Sequence, residues 1–125
     1  MKNLIAKLEA ASKGSRELDC DIFCATAPSP FESHYPDCVL AVLGGFVARV
    51  EIDEIPNFTI SLDAALTLVP EGWILDSLSD DATGSVGSMK AFGATCEVTN
   101  GELGLQGQAV SRALALCIAA LKTRL

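Results

Sequence analysis

The chain has 125 residues, a single-domain length, and half of it is hydrophobic, enough to bury a core that a disordered acidic tail lacks. Its net charge of −7 repels phosphate backbones and argues against direct DNA or RNA binding. No apolar run reaches the roughly 18 residues of a membrane helix, and Lys7 and Glu9 interrupt the stretch that a signal peptide needs, so a cytoplasmic protein that makes no membrane contact is expected.

Leu4, Ile5, Leu8 and Ala11 share one helical stripe, which Gly14 stops. Ser15 caps a second helix with Glu17 and Asp19 in its first turn, where the helix dipole favours negative charge. Leu18, Ile22 and Phe23 supply its buried face, and Pro28 and Pro30 end it. The stretch 27–37 adds Pro36 and reads as a loop. Residues 38–52 are β-branched and apolar around Gly44-Gly45, with a strand expected at 46–52, where Phe46, Ala48, Val50 and Ile52 alternate with Val47, Arg49 and Glu51.

Ser61 caps a helix over 61–69 with Leu62, Ala65, Leu66 and Val69 on one face, and Pro70-Glu71-Gly72 turns out of it. A strand follows at 72–78, then a polar loop at 80–85. Asn100-Gly101 supplies the positive φ angles of a type I′ turn, so 89–98 and 103–110 should pair as a hairpin. Ser111 caps the last helix, 112–124, which is apolar nearly all round and must be either sandwiched in the core or used in a homo-oligomer contact. The sum is one α+β domain: an N-terminal helix pair (1–26), a loop and strand (27–57), and an α-β-β-β-α core (58–125). Its sheet is an antiparallel meander of three to four strands with helices on one face. Double-stranded-RNA-binding domains share this order, but the last helix offers only Arg112 at its start, and RNA binding is rejected.

The sharpest chemical pattern is Cys20, Cys24, His34 and Cys38, four residues of zinc-ligand type within a short span. The spacing fits no familiar knuckle and Cys24 falls near a buried helix face, so reduced, buried thiols without metal are expected. The one histidine, His34, lies in a proline-rich loop with no nucleophile elbow, and no cysteine has a flanking cation to hold a thiolate. The carboxylates Glu51, Asp53 and Glu54, and Asp80 with Asp81, read as solvated charge. No glycine run makes a phosphate loop. No catalytic residues and no cofactor are therefore expected.

What remains is recognition. Helix N-termini expose backbone N–H groups and a partial positive charge. Phe58, Thr59 and Ser61 precede one such end, Ser111 and Arg112 open another, and Trp73 and Phe58 offer faces for a base to stack on. These six residues are the ligand-binding candidates; against them stands the possibility that the serines merely cap and the aromatics are core.

Phe58-Thr-Ile-Ser-Leu-Asp-Ala-Ala-Leu-Thr-Leu-Val-Pro-Glu-Gly-Trp73 and Ala113-Leu-Ala-Leu-Cys-Ile-Ala-Ala-Leu-Lys122 resemble a family of small proteins encoded by tailed bacteriophages and prophages, and Arg16-Glu-Leu-Asp19 is similar to that family's second helix. The chain departs from it at Val110-Ser111, where relatives often carry Thr-Pro, and 27–55 has no counterpart. The resemblance implies a non-enzymatic counter-defence protein in the cytoplasm of an infected bacterium. Its expected partner is a small phosphorylated nucleotide, held and not turned over. The alternative is a host defence protein, blocked by direct binding or by nucleic-acid mimicry.

Overall fold

The structure is a computed structural model that describes residues 2–27, 31–80 and 94–124. Helix α1 (Lys2–Ala10) buries Ile5 and Leu8. Helix α2 (Arg16–Thr26) starts at Ser15, whose hydroxyl accepts the Leu18 N–H at 3.2 Å. Strands β1 (Glu32–His34), β2 (Cys38–Leu43) and β3 (Phe46–Glu51) form one antiparallel sheet in that order. A single 3₁₀ turn, Ile52–Glu54, and α3 (Leu62–Leu66) follow. Strands β4 (Ile74–Asp80), β5 (Ala94–Thr99) and β6 (Gly104–Ala109) form a second antiparallel sheet, and α4 (Arg112–Lys122) ends the described chain.

The fold is α+β, but the strands divide into two three-stranded sheets where the sequence predicts one meander. The extra sheet comes from the first half. The expected loop at 27–37 contains β1, and 38–43 forms a strand of its own that pairs with β3 from Cys38↔Glu51 to Leu43↔Phe46. That register leaves a two-residue turn, Gly44-Gly45, with φ of 52° and 94°. Two positive φ angles in sequence make this the type I′ hairpin.

Asn100-Gly101 works differently. The β5–β6 ladder closes at Thr99↔Gly104, so the connection has four residues and only Gly101 takes positive φ, at 95°. The Asn100 side chain shapes it, its Oδ1 accepting the N–H groups of Glu102 and Leu103 at 2.9 Å each. The expected pairing forms, but through an Asx-type loop. Helix α3 is shorter than the expected 61–69. Past Leu66 the chain tightens into i→i+3 bonds, Leu68 N–H to Ala65 O at 3.0 Å and Val69 N–H to Leu66 O at 3.2 Å. The polar loop from residue 81 onward and the 89–93 part of the expected strand lie outside the described residues.

Helix α4 is the centre of the molecule. Every residue from Ala113 to Leu121 is buried, against β5 and β6 and also against α1 and α3. The helix is apolar because it is sandwiched in the core, the first of its two expected roles. Its alanines allow unusually close approach to the sheet. A Cβ added at Gly107 would lie 2.1 Å from the Ala115 carbonyl oxygen and 2.8 Å from the Ala119 nitrogen.

Gly107→Ala should therefore lose at least about 1–3 kcal/mol in urea unfolding, the usual cost of overpacking. Gln108→Ala, on the exposed face of the same strand, should stay within about 0.5 kcal/mol of the parent.

Candidate functional site

The 52–59 segment has little regular structure, so its backbone carbonyls need partners from elsewhere. Arg16, at the start of α2, provides them. One guanidinium nitrogen donates to the carbonyl of Ile52 and to that of Ile55 at 2.8 Å. The other donates to Asp19 Oδ2 at 2.9 Å and to the side chain of Asn57. Asp19 has no solvent exposure. Its Oδ1 accepts both the Thr59 N–H, at 2.8 Å, and the Thr59 hydroxyl, at 2.7 Å. The same hydroxyl accepts the Ser15 N–H at 2.9 Å, and Gly14 packs so close that a Cβ would meet the Thr59 carbonyl oxygen at 2.3 Å.

This arrangement decides the fate of several candidates. Thr59 is buried, and its N–H and hydroxyl are committed to Asp19 and Ser15. Ser61 and Ser111 act as caps, accepting the N–H of Ala64 and of Leu114 at 3.3 Å each. Trp73 is half-buried and packs on the core. Arg112 is exposed beside Ser111. Phe58 is nearly buried, and its carbonyl accepts the Cys117 thiol at 3.1 Å.

Of the six candidates, Phe58 alone reaches a cleft of about 310 Å³. Phe23 and Phe31 form the aromatic wall of this cleft, their rings edge to face with centroids 5.4 Å apart. Leu68 and Pro56 add apolar surface, Thr26 and Thr67 contribute hydroxyls, and Arg124 is the only charged residue among the described lining residues. Among the described residues Arg124 makes no ion pair. The Ser111–Arg112 end of α4 is on the opposite side: an 11-residue helix separates it from Arg124 by about 16 Å at 1.5 Å per residue. The signals in the sequence are helix N-termini, whereas the cleft gathers C-terminal ends. Only the phenylalanine content of 23, 31 and 58 points to it.

Cys20 and Cys24 lie one turn apart on α2, with Cys20 buried. Cys38 is buried in β2, and His34 is half-exposed, 3.9 Å from Glu32. Among the described residues no three His, Cys, Asp or Glu side chains are placed to hold a metal ion. Burial pushes the thiols up, Cys24 and Cys96 to about 11 and Cys117 higher still. A raised pKa leaves less thiolate at neutral pH, which lowers the reactivity of these groups. No protein-family model, curated protein or solved structure matches the chain.

Asp19→Ala should destabilise by about 3–5 kcal/mol, the cost of breaking a buried ion pair, and Thr59→Val by about 1–3 kcal/mol. Because the two share one oxygen, the double variant should lose less than the sum in urea unfolding. For the thiols, alkylation of the folded chain at about pH 8 should be far slower than in denaturant, where all five cysteines react, as counted by mass spectrometry.

Proposed function

We propose that this chain is a non-catalytic binding protein that sequesters a small phosphorylated nucleotide in the Phe58 cleft, as a phage-encoded counter-defence factor in the cytoplasm of the infected cell. The observation that carries the proposal is the pairing of an aromatic wall, Phe23 and Phe31, with the single guanidinium of Arg124 in one cleft. Aromatic rings accept a base by stacking, at about 1–3 kcal/mol per base, and a guanidinium meets phosphate oxygens through a two-pronged donor set.

Thr26 and Thr67 send their own hydroxyl protons inward, to Ile22 O at 2.9 Å and Ala64 O at 2.5 Å. Their oxygens are thereby oriented to accept from a base amino group or a ribose hydroxyl. Among the described residues the lining includes no carboxylate, imidazole, thiol or amine, which supports a holding role over turnover. A volume of about 310 Å³ is at the low end of small-molecule sites and suits one nucleotide. Counter-defence rests on the phage-family resemblance of 58–73 and 113–122.

A second reading has its own observation. Val42, Phe46 and Val47 at the β2–β3 hairpin tip are 74, 77 and 65% exposed, an apolar projection suited to blocking a host protein directly.

Melting the protein against cyclic and linear nucleotides separates the two. Ligand at about a hundred times its dissociation constant should stabilise the fold by about 2.7 kcal/mol and be recovered uncleaved. Arg124→Ala should weaken binding by about 1.5–3 kcal/mol, while Arg112→Ala leaves it unchanged. No shift across the panel, with host-protein capture abolished by Phe46→Asp, would replace sequestration by blocking.

A further inference from the structure

The cleft is bounded by the ends of three helices, and all three are C-terminal. Thr26 and Ala27 close α2, Thr67 and Leu68 follow α3, and Arg124 lies just past α4. A helix C-terminus carries roughly half a negative charge and presents carbonyl oxygens rather than N–H groups. α2 and α4, of 11 residues each, are long enough for the effect to count. At these three helix ends a phosphate meets carbonyl oxygens where helix N-termini would cradle it with N–H groups. Among the described lining residues its charged donor is the guanidinium of Arg124, one full positive charge set against the partial negative charge of the helix ends.

From this balance we infer that the cleft accepts a singly charged phosphodiester on an aromatic base, as in a cyclic mononucleotide, and discriminates against a terminal phosphate; the inference rests on the nucleotide reading above. A phosphodiester spreads one charge over two free oxygens, which the two-pronged face of one arginine can satisfy. A terminal phosphate carries about −1.5 to −2 at pH 7 on three oxygens. Among the described residues its second charge and third oxygen face carbonyl and hydroxyl oxygens, several of the nearby carbonyls already accepting: Ile22 O from Thr26, Ala64 O from Thr67, Leu121 O from the Arg124 N–H. A dinucleotide or polyphosphate adds further charge and exceeds a volume of about 310 Å³. Arg124 is the only ionisable side chain among the described lining residues, so between about pH 5.5 and 7.5 it is the terminal phosphate, with its second pKa of about 6, that changes charge against them.

The test is calorimetric titration of the full chain with 3′,5′-cyclic AMP and 3′,5′-cyclic GMP against 5′-AMP and 5′-GMP. At about pH 7.5 the cyclic form of the preferred base should bind at least about tenfold tighter than its linear counterpart. The ratio should fall towards one at about pH 5.5, as the linear phosphate takes up its second proton. Arg124→Gln should weaken the cyclic ligand about tenfold or more without moving the melting temperature of the free protein. Linear monophosphates binding as tightly as cyclic ones at about pH 7.5 would overturn the charge argument and leave the nucleotide reading standing. A tenfold preference that persists at about pH 5.5 would also overturn it, because shape would then be the discriminator. Binding of none of the four would overturn the nucleotide reading itself, and this inference with it.

Discussion

A carboxylate with no access to water, that of Asp19, joins the two halves of this protein. A buried anion is tolerable only when its oxygens are fully engaged. Here one oxygen takes the Arg16 guanidinium and the other takes both polar groups of Thr59. Arg16 then uses its remaining donors on the carbonyls of the 52–57 segment, which has few backbone partners of its own. The ion pair is thus less a source of net stability than a device for fixing one conformation of an irregular stretch. What it fixes is the position of Phe58, which follows directly, touches α4 through the Cys117 thiol and lines the cleft.

The second constraint is steric. α4 is enclosed by β5 and β6 and by α1 and α3, and the enclosure closes only because small residues face one another. Ala115 and Ala119 come against Gly107 with no room for a methyl group. Tight packing of this kind fixes the helix along its axis as well as across it. Its C-terminal end is thereby set at the cleft, and with it the position of Arg124. A helix free to slide would carry that side chain with it.

These two constraints account for the electrostatic character of the cleft. Chain direction brings the last turns of α2, α3 and α4 to one place, and the dipoles of the helices follow from chain direction. An acidic protein, at net charge −7, thereby places one cation in a locally electronegative surround. The β2–β3 hairpin stands apart from this. Its two-glycine turn and exposed apolar tip owe nothing to the Asp19 network, which is why a separate, protein-blocking role can be stated for it.

Local signals in the sequence are sufficient for much of the architecture. Serine caps at 15, 61 and 111 start helices because a side-chain oxygen satisfies a nearby N–H whatever the tertiary context, and the β5–β6 pairing follows from its turn residues. The α+β class is legible for the same reason. The sequence misleads where a local signal has two outcomes. Gly44-Gly45 reads as an interruption and is the type I′ turn, while Asn100-Gly101 reads as that turn and is a longer Asx loop. The apolar last helix is compatible with core or interface, and the packing of five other elements around it puts it in the core. The candidate site is the least legible part. Thr59 attracts attention for its hydroxyl, which the fold commits to Asp19, 40 residues away in sequence. Phe23, Phe31, Thr67 and Arg124 are distant in the chain, and each alone is an ordinary helix or loop residue. What the sequence determined by itself was the start of α2, α3 and α4, the acidity and the supply of apolar residues. Which ends of the helices meet, and so the sign of the field in the cleft, was decided by tertiary structure alone, because a dipole's direction in space depends on how its helix is docked.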